Sequence, residues 1–181
     1  MLMAHIAVIN KVDSADPANV AAVRNTIAVN NPAADIILAK SDVLVDQPEA
    51  IAGKRVLVVE DGPTLTHGEM AFGAGVIAAR RNHAAELVDP RPYLVGAIKD
   101  TFAAYPHIGA VLPAMGYGMR QIADLAATIN NTDCDLVVSA TPIDLAGLVH
   151  IDKPTVRVTY EYRDHGEPTL ASLIRKKLSG N

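Results

Sequence analysis

The chain has 181 residues, half of them apolar, enough for one α/β domain with a sizeable core. Sixteen basic against twenty acidic side chains leave a formal charge of −4, and no basic run exceeds Arg175-Lys176-Lys177, so nucleic acid is not expected as a partner. The single Cys134 excludes an internal disulfide and a zinc cluster. No apolar run approaches roughly 18 residues and no signal-like start is present, so no membrane contact is expected and a reducing, cytoplasmic setting is.

In chain order, His5 to Ile9 reads as an apolar strand ending in Asn10-Lys11-Val12-Asp13. Asp16-Pro17 supplies an N-cap with proline at the first helical position, and Val20, Val23 and Ile27 carry the helical spacing to Asn30-Asn31. A second strand is expected at Asp35 to Ala39, leaving through a polar loop at Lys40-Ser41, followed by a short helix between Pro48 and Ala52. Arg55 to Val59 is short, β-branched and apolar throughout, the pattern of a parallel strand buried on both faces. It empties into Glu60-Asp61-Gly62-Pro63-Thr64-Leu65-Thr66-His67-Gly68, and a helix with small residues on one face is expected over Gly68 to Arg81. Further strands are expected at Glu86 to Val88, Asp135 to Ala140 and Pro154 to Tyr162, with helices at Tyr93 to Tyr105, Met119 to Ile129 and Thr169 to Leu178. Between two of those helices lies a loop with a brief apolar piece, Ile108 to Leu112. Strands alternating with helices, each strand leaving through a polar loop, predict an α/β fold: a doubly wound, mostly parallel sheet of about five or six strands flanked by helices.

Ligands of such sheets bind at the carboxyl edge, where loops and helix N-termini converge. There Glu60 and Asp61 follow an apolar strand, the arrangement that presents carboxylates to a metal such as Mg²⁺, and Asp61 or His67 is placed to act as a base. Thr64 and Thr66 bring hydroxyls toward a bound anion, while Gly62 and Gly68 leave room for its close approach. Arg91, clamped between Pro90 and Pro92, offers a fixed guanidinium to phosphate, or alternatively forms a surface ion pair. Asn10, Lys11 and Asp13 meet the N-K-x-D pattern: an aspartate accepts the ring N–H and exocyclic amine of guanine, the lysine stem covers the base, and the asparagine braces a neighbouring loop. Lys40 and Ser41 suit a base- or phosphate-lined loop. Gly73, Gly75 and Ala78 satisfy G-x-G-x-x-A but lie too far past the strand to form a dinucleotide turn, and no G-x-x-x-x-G-K-[ST] occurs.

The segments VINKVD (Val8 to Asp13), GKRVLVVEDGPTLTHG (Gly53 to Gly68), VDPRPY (Val88 to Tyr93), YPHIGAVLPAMGY (Tyr105 to Tyr117) and TPIDL (Thr141 to Leu145) resemble the cyclic 2,3-diphosphoglycerate synthetase family and its GTPase relatives. The resemblance implies the C-terminal part of a P-loop NTPase, using GTP or ATP with Mg²⁺ on a phosphorylated small molecule. The Walker A segment and N-terminal domain of that family have no counterpart here, so little activity is expected from the chain alone. The competing expectation is a stand-alone module that binds a phosphorylated ligand or associates with a second copy of itself, since loss of neighbouring strands would expose a sheet edge. A third is a hydrolase or synthetase in its own right, with Asp61 or His67 as base.

Overall fold

A computed structural model describes residues 3–66, 71–115 and 118–179. In chain order its elements are β1 (Ile6–Ile9), α1 (Pro17–Asn30), β2 (Asp35–Val45), β3 (Arg55–Asp61), α2 (Gly62–Thr66), α3 (Ala74–Arg81), β4 (Glu86–Leu87), α4 (Ala97–Ala104), β5 (Leu112–Ala114), α5 (Met119–Asn131), β6 (Leu136–Ala140), α6 (Leu145–Leu148), β7 (Thr155–Asp164) and α7 (Leu170–Ser179). Short 3₁₀ turns occupy Pro48–Ala50 and Arg91–Tyr93. The chain is α/β, with a mostly parallel sheet flanked by helices, as the alternation of elements predicts. Two compact units are distinguished: residues 1–42 with 160–181, and residues 43–159.

In the first unit β1 runs parallel to β2, with Ile6 opposite Asp35 and Ile9 opposite Leu38. The end of β7 lies against β2, where the His165 N–H donates to the Leu38 carbonyl at 2.9 Å and Arg163 pairs with Asp42 at 2.9 Å. Lys177 ties α7 to Asp35 at 2.8 Å. The core here is small: Ile9, Ile27, Ile37, Ala39 and Leu173 are buried. Helix α1 starts as its sequence requires, with Asp16 Oδ1 accepting the Ala18 N–H at 2.7 Å and Pro17 in the first turn. The expected strand at Asp35 to Ala39 is longer than its apolar run. Strand β2 continues to Val45, so Lys40 and Ser41 sit within it and not in a loop, because β7 supplies polar partners such as Arg163 that carry the pairing past the apolar residues.

The second unit is built on β3, whose Val56, Leu57, Val58 and Val59 are fully buried. One edge of β3 pairs in parallel with β6, from Val56 opposite Leu136 to Glu60 opposite Ala140. The other edge takes β4 beside Arg55 and Val56, then β5 beside Val59 to Asp61. Strand β6 in turn pairs with the start of β7. Burial on both faces is why these strands read as unbroken apolar runs. Arg55 fixes the amino end of β3: its guanidinium reaches Glu86 at 3.1 Å and Asp133 at 3.2 Å, and its N–H donates to Asp135 at 2.9 Å.

Strand β3 runs to Asp61, two residues past the expected Val59, and three further boundaries in this unit differ from the sequence reading for a tertiary reason. Helix α3 begins at Ala74, not Gly68, because the Glu60 carboxylate from β3 accepts the N–H groups of Gly73 and Val76 and so fixes the first turn there. Helix α4 begins at Ala97 because the 3₁₀ turn Arg91–Tyr93 intervenes and Asp124 of α5 accepts the Ala97 N–H at 3.0 Å. The apolar piece after Pro106 places only its last residue in a strand, β5, which pairs with the end of β3.

Candidate functional site

The carboxyl end of β3 turns at once into α2 through Gly62. A Cβ at Gly62 would lie 2.5 Å from the Ala114 carbonyl oxygen, so only glycine lets the chain turn this close to β5. Asp61, half-buried, accepts a hydrogen bond from the Thr64 hydroxyl at 2.9 Å, which orients its carboxylate. Beside Asp61 lies a narrow cleft with ≈ 20 Å³ of room for water-sized molecules, walled by Ala114 of β5, Ile122 and Leu125 of α5, Thr141, and Leu145 and Leu148 of α6. The Thr141 hydroxyl donates to the Ile143 carbonyl at 2.7 Å. The site is thus an apolar cleft with a held carboxylate on its rim.

Glu60 points elsewhere. It is buried, its Oε1 accepts the Gly73 and Val76 N–H groups at 3.1 Å each, and it caps α3 from the sheet. Burial raises its pKa to about 7; the bonds from the α3 N–H groups pull it down, and the Asp61 charge nearby adds to the rise. Among the described residues no three His, Cys, Asp or Glu side chains converge on a point where a metal ion would sit.

The other expected site residues are placed as follows. The Thr66 hydroxyl donates back to the Gly62 carbonyl within α2 at 3.0 Å. His67 and Gly68 lie outside the described residues. Arg91 donates to Asp89 at 2.9 Å and to the carbonyls of Ile108 and Gly109, and its guanidinium lies 5.0 Å from the centre of the Phe102 ring. None of these partners lines the Asp61 cleft; Arg91 forms an ion pair with Asp89 and clasps two carbonyls as well.

In the first unit Asn10 and Ser41, two of the residues expected to meet a nucleotide, are in contact. Asn10 Nδ2 donates to the Ser41 hydroxyl at 3.0 Å, its Oδ1 accepts the Lys11 N–H at 2.8 Å, and the Val12 N–H reaches Ala39 at 3.1 Å. Lys11 has φ 61, the left-handed conformation that closes the turn leading to the exposed Asp13. Asn10 therefore braces the neighbouring segment, and Lys40 is next to the braced residue.

Two contributions escaped the sequence reading. His107 Nε2 lies 2.8 Å from the Leu65 carbonyl, and because a carbonyl only accepts, that nitrogen carries a proton; the histidine holds α2 from the loop between α4 and β5. Its spacing from Leu65 gives no signal. The cleft walls Ile122 and Leu125 were visible only as the apolar face of α5, with nothing to say that part of that face borders open space.

The fold and this edge define an α/β unit with a narrow apolar cleft at the carboxyl end of its central strand. No protein-family model matches the chain. It is 50% identical over 173 residues, 96% of its length, to a curated protein of Thermococcus kodakarensis named arginine synthetase ArcE. The chain spans 39% of the length of that relative. This overturns the resemblance to the cyclic 2,3-diphosphoglycerate synthetase family, together with the P-loop GTPase and diphosphoglycerate-cyclising functions read from it. The segments that carried the resemblance are strand ends and turns whose residues do local work: Asn10 holds Ser41, Glu60 caps α3 and Arg91 clasps Ile108 and Gly109. Short motifs of this kind report strand-end chemistry in α/β sheets and do not fix which small molecule is made. Among the described residues no helix is long and apolar enough to cross a membrane.

Proposed function

We propose that the chain forms part of an arginine-producing ligase and that the Asp61 cleft receives the guanidino end of the amino acid. The observation that carries this reading is the 50% identity, along nearly all of the chain, to a protein named arginine synthetase. The cleft suits the ligand. A carboxylate accepts the parallel N–H pair of a guanidinium, and Thr64 holds that carboxylate in one orientation at the rim of the apolar cleft. Asp61 is then a binding group for the charged end.

Forming a guanidino C–N bond in water requires coupling to an exergonic step. A nucleoside triphosphate, GTP or ATP, is the proposed source, with Asn10, Lys11, Asp13, Lys40 and Ser41 as contacts for its base. Mg²⁺ would ride mainly on the phosphates, as it does where a protein lends few carboxylates. A cytoplasmic setting belongs to the same proposal: Cys134 is a lone thiol, and burial pushes its pKa up, which keeps it protonated and unreactive.

Calorimetric titration of the chain with L-arginine, and with its neutral ureido isostere L-citrulline, tests the reading. Arginine is expected to bind, citrulline to bind more weakly, and Asp61→Asn to weaken arginine by about tenfold or more, the loss of one charge-assisted pair. Arginine binding that ignores Asp61→Asn, or no binding to the chain and to the full-length relative alike, refutes it.

A further inference from the structure

We propose that the cleft along the connection from α6 to β7 is a second binding site, one that takes a small molecule bearing a phosphoryl group on an apolar remainder. The cleft lies within the second unit, has ≈ 480 Å³ of room for water-sized molecules, and is lined by Leu148, His150, Ile151, Lys153 and Thr155 among others. Small-molecule sites commonly occupy roughly 300–1,000 Å³. Asp61 does not line this cleft, so the inference does not depend on arginine chemistry.

The wall of the cleft is held from outside it. Asn130 of α5 grips the connection twice: its Nδ2 donates to the His150 carbonyl at 2.9 Å and its Oδ1 accepts the Asp152 N–H at 3.0 Å. The Thr155 hydroxyl donates to the Lys153 carbonyl at 3.2 Å, and the Val149 N–H to the Leu145 carbonyl at 2.9 Å. A wall fixed in this way needs little ordering when a ligand arrives, which lowers the cost of binding.

The charge of the cleft selects the ligand. Among the described residues no aspartate or glutamate lines it, and the half-buried Lys153 has no ion pair. The adjacent Asp152 carboxylate is engaged by His150 at 2.8 Å. Arg157 stands two residues beyond Thr155, on the same face of β7, and its Nε is buried with no hydrogen-bond partner. Buried donors left in that state are few in a folded chain. An unpaired ammonium with a guanidinium on the same strand face suits a group carrying two negative charges better than a single carboxylate. Leu148 and Ile151 then cover the apolar remainder of the ligand.

Calorimetric titration of the chain with phenyl phosphate, inorganic phosphate and benzoate tests the site. Phenyl phosphate is expected to bind tightest, because inorganic phosphate has no apolar part for Leu148 and Ile151 and benzoate carries a single charge. Lys153→Met is expected to weaken phenyl phosphate by about tenfold or more, Lys153→Glu to abolish its binding, and Lys153→Arg to keep it within about threefold of the native chain. The melting temperature stays unchanged in all three, since Lys153 is outside the core. Asp61→Asn is expected to leave phenyl phosphate binding as it is. No binding of phenyl phosphate, or equal binding to the native chain and Lys153→Glu, overturns the proposal. So does a loss in Asp61→Asn, which would place the phosphoryl group in the other cleft. Benzoate or inorganic phosphate binding as tightly as phenyl phosphate also overturns it, the first by making a carboxylate sufficient and the second by leaving the apolar wall without a role.

Discussion

Replacing Glu60 by glutamine isolates the one buried carboxylate among the described residues of the second unit. Glu60 is 2% exposed, and its pKa is raised from 4.5 to about 7, chiefly by burial and against the pull of the Gly73 and Val76 N–H bonds. A carboxyl whose folded pKa lies above its unfolded one holds its proton more tightly when folded. Its contribution is therefore full below 4.5 and is lost as pH rises toward about 7. At 1.36 kcal/mol per pH unit, the interval from 4.5 to about 7 corresponds to about 3 kcal/mol. Glu60→Gln keeps the carbonyl that accepts both N–H groups and removes the titration. Urea unfolding from pH 4.5 to 8 should show the stability of the native chain, measured relative to Glu60→Gln, falling by about 3 kcal/mol across that range. Groups common to both proteins cancel in the difference. Among them is Asp35, held below its usual value by Lys177, whose contribution is lost only as pH falls through its lowered folded value. A pH slope identical in the two proteins would show that Glu60 stays ionised, and the account of its burial would fail.

Two further outcomes follow from the same packing. Gly75→Ala places a Cβ 2.6 Å from Val58 Cγ1 and 2.9 Å from Ala140 Cβ, so α3 must lift from β3 at a cost of about 1–3 kcal/mol; an unchanged thermal midpoint would refute this. Arg91→Ala leaves the Ile108 carbonyl without its guanidinium and uncovers the Phe102 face, which should lower stability by about 1–3 kcal/mol in chemical unfolding while leaving arginine affinity at the Asp61 cleft unchanged. A loss of affinity without loss of stability would return Arg91 to the ligand.

The local elements were legible where one segment carries its own instruction. Asp16-Pro17 starts α1 as its chemistry requires, and Val56 to Val59 could only be buried on both faces. Polar residues at strand ends were harder, because the same side chains serve a ligand or the protein itself. Glu60 was read as a metal-binding carboxylate after the strand, yet it lies within β3 and its carboxylate accepts the N–H at the start of α3, thirteen residues away at Gly73. Arg91 was balanced between ligand and structure, and its contacts to Ile108 and Gly109 could be seen only in the folded chain. In the N-K-x-D turn Asn10 does reach Ser41, while the five segments between Val8 and Leu145 that were read together as one family belong to a chain 50% identical to a protein named arginine synthetase.

The sequence by itself determined that this is an α/β chain with polar residues gathered after its strands, because period, β-branching and capping act over a few residues. Only the tertiary structure decided which of those polar groups face open space. Hydrogen bonds from distant segments, to Glu60 from α3 and from Arg91 to the loop before β5, claim some carboxylates and cations for the fold, while Asp61 stays on the rim of its cleft.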